Sequence, residues 1–325
     1  MKLPRRRLLY LAAGAAVFPA VTRIASAQAY PTRPVHLIVT TPAGGSPDIV
    51  ARVMSQWLSE HLGQPFIVDN RTGASGNIGT EFVVNSPPDG YTLLLAFSGN
   101  AINATLYENL NFNFIRDTVP VASIGSIPLV MEVNPSVPAK TVAEFIAYAK
   151  ANPDKINMAS GGNGSPQHIA GELFSMMAGV KMIHVPYRGE GLALPDLIGG
   201  QVQVMFGVMP ASLGYIRAGK LRALAVTAAA RQAVLPDVPT VAEFLPGYEA
   251  GGWYGIAVPK ATPPDVVNRL NTEINAALAD SKTKERLTDL GCKVFAGSPN
   301  DFGKFIADET EKWAKVIKLA GIRMD

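Results

Sequence analysis

Two short segments of this 325-residue chain carry the same chemistry. Thr41-Pro42-Ala43-Gly44-Gly45-Ser46-Pro47-Asp48 follows one apolar run, and Ser160-Gly161-Gly162-Asn163-Gly164-Ser165-Pro166-Gln167 follows another. Each reads as strand, glycine-rich turn, serine, proline, helix. Serine is a favoured helix N-cap, and proline is favoured at the first helical position, where its missing N–H costs nothing. Glycines let the backbone approach a ligand, which then meets free first-turn N–H groups and the positive end of the helix dipole. Such a turn is an anion site, suited to a carboxylate as well as to a phosphate. Alone, each is an ordinary capped turn. Two of them, placed in different lobes, can face one another across a cleft. Neither is a nucleotide loop, since there is no G-x-x-x-x-G-K-[ST] and no G-x-G-x-x-G opens the first helix.

Ala43, Gly44, Gly45 and Ser46 are therefore candidate ligand contacts from the first loop, and Gly162, Asn163, Gly164 and Ser165 from the second. Asp48 sits where the dipole favours an acid, able to orient the loop or to accept a ligand N–H. His168 reads as a packing or capping histidine rather than a base, and we keep it among the site candidates. Ligands of α/β sheets bind beyond the carboxyl ends of the strands, so the polar strand ends should supply further contacts. These are the 70–79 segment with Ser75, Ser98-Gly99-Asn100, and the 184–191 segment with Tyr187, Arg188 and Gly189. Trp253 and Tyr254 line either the cleft or the hinge.

Other chemistries lack their residues. Cys292 is the only cysteine, so no intramolecular disulfide or thiolate metal site can form. His36, His61, His168 and His184 show no H-x-x-x-H or H-E-x-x-H spacing, against a zinc enzyme. No nucleophile elbow appears, so no catalytic residue, metal or cofactor is expected. The amino terminus has Lys2, Arg5, Arg6 and Arg7, an apolar run over 8–21, and Ala25-Ser26-Ala27. That is a secretory signal peptide cleaved near Ala27 and too short to span a bilayer. Arg5-Arg6-Arg7-Leu8-Leu9 leaves the Sec and twin-arginine routes open. Removing residues 1–27, with five cations and no acid, turns the net charge from +3 to −2. No basic patch remains for nucleic acid, and an anion must be held by local dipoles.

The elements that position these loops alternate as in an α/β fold. Strands are expected at 35–41, 66–68, 91–97, 128–133, 156–160, 182–185, 202–206 and 224–227. Helices are expected at 48–62, 141–151, 167–178, 192–198, 264–280, 282–290 and 300–319, so the last third reads as helix-rich.

Longer motifs then become visible: Pro42-Ala43-Gly44-Gly45-x-x-Asp48, Asn70-Arg71-x-Gly73-Ala74-x-Gly76-Asn77-Ile78-Gly79, and Pro88-Asp89-Gly90-Tyr91-Thr92. Gly164-Ser165-x-x-His168-x-x-Gly171-Glu172-x-Phe174, His184-Val185-Pro186-Tyr187-x-Gly189 and Leu235-Pro236-Asp237-Val238-Pro239-Thr240 follow. Over essentially the whole exported chain the sequence resembles the Bug receptors, the solute-binding proteins of tripartite tricarboxylate transporters. The resemblance implies a two-lobed periplasmic binding protein of type II, a Venus flytrap with mixed sheets flanked by helices. Lobe 1 would be residues 28–129 plus 250–325 and lobe 2 residues 130–249, joined by two crossovers. It further implies a periplasmic monomer that is not an enzyme. A small mono- or dicarboxylate would be gripped by both loops, and the partner would be transporter membrane subunits. A sensor docking on a histidine kinase is the alternative, and a periplasmic hydrolase a weaker one. Departures from the family pattern fall at Thr41, Ser75, Pro47, Pro166, Glu190-Gly191 and Gly207. Lost bulk at Thr41 and Gly207 leaves room for a larger or aromatic carboxylate.

Overall fold

The computed structural model describes residues 30–107 and 109–322. The expected signal peptide lies outside the described residues. The chain alternates strands and helices around one mixed sheet of ten strands, in spatial order β2 (Phe66–Asn70), β1 (Val35–Val39), β3 (Thr92–Phe97), β9 (Gly251–Pro259), β4 (Thr118–Val133), β7 (Val204–Val208), β5 (Asn157–Ser160) and β6 (Ile183–Pro186), with β8 (Arg222–Val226) and β10 (Lys293–Val294) also paired to β4.

The first half is built on β1 (Val35–Val39), β2 (Phe66–Asn70) and β3 (Thr92–Phe97), all parallel. Leu37, Val39, Leu93 and Leu95 face one core, under α1 (Ser46–Leu62) and α9 (Pro264–Ala279). Ile38, Leu94 and Ala96 face another, lined by Val83, Trp253, Phe302 and Ile306. Burial on both faces is why these strands read as unbroken apolar runs. In the second half, β5 (Asn157–Ser160) runs parallel to β6 (Ile183–Pro186) and β7 (Val204–Val208). Here α6 (Pro166–Ala178) covers one face, while α7 (Glu190–Ile198) and α8 (Met209–Arg217) cover the other.

Two long antiparallel strands join the halves. β4 (Thr118–Val133) pairs with β9 (Gly251–Pro259) from Thr118 to Pro128, then with β7 from Leu129 to Val133. The sequence reading recovers only the end of β4 and misses β9. Pro120, Gly125 and Pro128 punctuate β4, and its register against β9 slips twice, so no period-2 pattern survives. Of the segments read as polar strand ends, 77–79 opens α2 (Asn77–Val84) and 98–100 opens α3 (Ser98–Leu106), two helices that, like α8, the sequence reading does not include.

The last helix, α11 (Pro299–Ala320), belongs to both halves. Phe302 and Ile306 pack in the first, whereas Trp313, Val316 and Ile317 pack in the large core of the second. Each such buried side chain stabilises by roughly 1.5–3 kcal/mol. α11 is thus a strap across the two halves rather than an appendage of one.

Candidate functional site

The two glycine-serine-proline loops stand at the carboxyl ends of β1 and β5, one in each half. Their local architecture differs. In the second loop Ser165 is the N-cap of α6, its Oγ accepting the His168 N–H at 3.3 Å, and Pro166 opens the helix. In the first loop the expectation that Ser46 caps the helix is corrected. Gly45 is the N-cap and Ser46 the first helical residue, so the Ser46 Oγ makes no capping bond. The Gly44 turn, at φ +82°, swings the chain so that the cap falls one residue early.

Each loop is braced by a different side chain four residues on. In the first, Gly44 N–H donates to Asp48 Oδ2 at 2.9 Å. Asp48 also receives Arg52 on both oxygens at 3.0 Å and Asn70 Nδ2 at 3.1 Å, and Asn70 reaches back to the Thr41 carbonyl. Burial opposes the charge, yet the Arg52, Gly44 and Asn70 donors hold the carboxyl below its ordinary range. Asp48 orients the loop, and its oxygens are already engaged. In the second, Gly164 N–H donates to His168 Nδ1 at 3.1 Å. His168 stacks on His184, centroids 3.7 Å apart, and His184 Nε2 meets the Ser160 hydroxyl at 2.6 Å. Burial, then the neighbouring His168 ring, push the His184 pKa down to about 3, so the lower ring stays neutral. His168 therefore braces the second loop.

The backbone amides of Ala43 and Gly45 in one loop, and of Gly161 and Asn163 in the other, donate to no acceptor among the described residues. Unpaired amides beside a helix N-terminus are the chemistry of an anion cradle, and both loops have them. The halves meet beside the second loop. Ser75 Oγ donates to the Asn163 carbonyl at 3.3 Å, and a Cβ on Gly164 would collide with Leu106 Cδ2 of the first half. Ser75, at φ +54°, is held there by Tyr107 Oη to its Oγ and Asn103 Nδ2 to its carbonyl, both 2.9 Å. Ser75 is thus a contact between the halves.

Several candidates take structural posts. Asn100 accepts the Phe97 N–H and donates to Thr80, which fixes the start of α3. Tyr187 Oη donates to Asp196 Oδ2 at 2.7 Å, and burial with that carboxylate pushes the phenol up to about 12. The Gly189 N–H is spent on the Gly161 carbonyl. Asn100, Tyr187 and Gly189 thus each hold a bond within the protein at the carboxyl ends of the strands. The hydroxyls of Thr41, Ser46 and Ser98 are buried and have no hydrogen-bond partner. Ser46 lies beside the phenol of Tyr254 from β9, which places Tyr254 at the cleft.

Sequence reasoning missed Asn103, Tyr107 and Glu132, and with Glu132 the pairing of two acids behind Gly207. Glu132, wholly buried, accepts Ser212 Oγ at 2.6 Å, and its Oε2 has no partner. Glu190 Oε1 accepts the Val208 N–H at 2.6 Å. A Cβ on Gly207 would collide with Glu132 Oε1 and stand 3.0 Å from Glu190 Oε1, so the glycine makes room for both carboxyls. Burial pushes Glu132 well above the ordinary carboxyl range, and the charge of Glu190 adds to the effect. Burial likewise lifts Glu190 to about 7, against the hydrogen bonds from Val208 and Gln167. An acid inside the apolar run 128–133 was the available signal for Glu132.

The model of the tripartite tricarboxylate transporter family receptor matches residues 50–322. BugT of Bordetella pertussis is 39% identical over 302 residues, covering 92% of this chain and 93% of its own. Among solved structures, R. palustris Rpa4515 with adipate has a TM-score of 0.86 at 38% identity, over 90% of this chain and 99% of that one. MatC from Rhodopseudomonas palustris with bound malate has a TM-score of 0.82 at 32% identity, over 89% of this chain and 100% of its own. The motifs, the two-lobed α/β fold and these likenesses agree: the chain belongs to the tripartite tricarboxylate transporter receptor family of solute-binding proteins.

Proposed function

We propose that this chain is an exported receptor that captures a small organic carboxylate between its lobes and hands it to the membrane subunits of a tripartite tricarboxylate-type transporter. The lobes are residues 28–129 with 250–325, and 130–249, hinged where β4 passes Pro128 and where the chain returns into β9 at Gly251. Residues 1–27 direct it to the periplasm and are removed near Ala27. The protein performs no chemistry on its ligand.

The observation that carries this reading is that each half ends a parallel strand in a glycine-rich helix start with unpaired amides, and that the second of these abuts the first half at Ser75 and Leu106. One carboxylate has two oxygens and enough lone pairs to accept from both loops at once. Each loop alone offers a weak site, and closure sums them, so the anion favours the closed state by its differential affinity. Related proteins solved with adipate and with malate support a carboxylate as cargo.

The test is mass spectrometry of small molecules released from protein purified from the periplasm without refolding, followed by thermal melts with the compounds found. The reading expects a carboxylate whose saturating addition raises the melting temperature, since a hundredfold excess over Kd stabilises by about 2.7 kcal/mol. A released molecule with no acidic group, or no stabilisation by any carboxylate, would sink it.

A further inference from the structure

The loops explain how a carboxylate is held and say nothing of the ligand's other end. Glu190 stands where that end should lie. It opens α7 directly after Gly189, at φ +113°, and a Cβ on Gly161 would lie 3.5 Å from its backbone nitrogen, so the start of α7 abuts the second loop. Its Oε2 meets Gln167 Nε2 of α6 at 3.4 Å. Its charge helps raise the pKa of the Tyr254 phenol, which lies beside Ser46 of the first loop. Glu190 therefore lies beside the second cradle, at the side of the sheet from which Tyr254 approaches Ser46 of the first.

The surroundings are built for it. Gly207 leaves the hole that its carboxyl occupies, and Ser212 and the wholly buried Glu132 form the back wall. One buried group there remains unsatisfied, Glu132 Oε2 behind Glu190. Among the described residues, no lysine or arginine side chain hydrogen-bonds to Glu190 or to residues 41–46 and 160–165. The Arg52 guanidinium is taken by Asp48, and Arg188 is exposed.

We propose that Glu190 is a specificity determinant that accepts hydrogen bonds from the far end of the ligand. The cargo is then a monocarboxylate bearing an ammonium or hydroxyl donor there, rather than a dicarboxylate. This rests on the carboxylate-capture reading above. A second carboxylate would meet a carboxyl group with no cation to compensate it, whereas an ammonium would find a charged acceptor, the stronger kind of hydrogen bond.

The test uses the full exported chain and pairs of compounds matched in length: 4-aminobutanoate against succinate, 6-aminohexanoate against adipate, and 4-(aminomethyl)benzoate against terephthalate. Titration calorimetry at pH 7 in two buffers of different ionisation enthalpy reads affinity and proton exchange together. The expected result is at least tenfold tighter binding of the amine in one pair or more, with net proton release as Glu190 ionises. In Glu190→Gln that preference falls by about tenfold, the scale of one lost charge-assisted hydrogen bond. Tighter binding of the dicarboxylate in every pair, or a preference unmoved by Glu190→Gln, overturns the inference and leaves carboxylate capture standing. Binding of neither member of any pair overturns both. Where Glu190→Gln fails to fold, tighter binding of the dicarboxylate in every wild-type pair still overturns the inference, and Glu190→Asp, which keeps the charge and withdraws it by one methylene, takes the variant's place.

Discussion

The two anion loops share a sequence pattern and differ in how they are held. The first is an open cradle: nothing lies within 4 Å of where a Cβ on Gly44 would sit, and its brace, Asp48, is tied to an exposed Arg52. The second is wedged: Gly164 backs onto Leu106 of the opposite half, and its brace is a buried imidazole stacked on another. One motif thus gives a freestanding jaw and a jaw whose shape depends on the halves meeting. Local sequence sets the backbone of each loop, and tertiary contact sets how tightly it is held.

The largest expected effect is at Gly164. Alanine there adds a left-handed residue at φ +71° and a collision with Leu106, for a stability loss of about 2–4 kcal/mol in denaturant melts. Parting the halves relieves the clash, so ligand affinity should also fall more than tenfold. Gly44→Ala carries only the backbone cost at φ +82°, about 1 kcal/mol. Equal losses at the two positions would erase the contrast.

His168→Ala comes next. It strands the Gly164 N–H and unstacks His184, costing roughly 1–3 kcal/mol by the same melts. Asp48→Asn keeps an acceptor for Gly44 and gives up an ion pair with an exposed partner, so about 1 kcal/mol or less is expected. A reversed order would mean that the first loop is the more tightly braced.

Glu190 adds a pH signature to the second half. Its folded pKa, about 7, lies above the ordinary 4.5, so the folded state binds the proton more tightly. The stabilisation is full below pH 4.5 and disappears as pH rises through 7. Glu132 of β4, Gln167 of α6, the Val208 amide of β7 and Tyr254 of β9 are the groups that face it. Subtracting the melting curve of Glu190→Gln from that of wild type, without ligand, should leave a difference that declines between pH 5 and 8. A flat difference would place Glu190 in water. The smallest effect belongs to Ser75→Ala, which removes one long bond across the seam and should cost about 0.5–1.5 kcal/mol of closure, read as a few-fold weaker ligand.

What the sequence disclosed follows the same division. The loops were legible because glycine, serine and proline act within a few residues of themselves, and the flanking parallel strands because burial on both faces makes them uniformly apolar. Asp48 and His168 could be placed beside their loops, but whether each touches ligand or backbone depends on Arg52, Asn70 and His184, which the fold supplies. β4 and β9 were hidden because prolines, a glycine and two register slips break the period of the pair, and α3 because Ser98-Gly99-Asn100-Ala101-Ile102-Asn103 has no apolar period. Glu190 and Gly207 were visible as departures from a family pattern. Only the structure shows them to be one feature, a carboxyl and the hole that holds it.

The central claim is that both loops close on the same carboxylate, and a crystal structure of the exported chain with its co-purified ligand tests it most directly. The account predicts one carboxylate within hydrogen-bond reach of the first-loop amides around Gly45 and the second-loop amides around Asn163, directly or through one water. A ligand carboxylate bound to one loop alone, or held by neither, would contradict it.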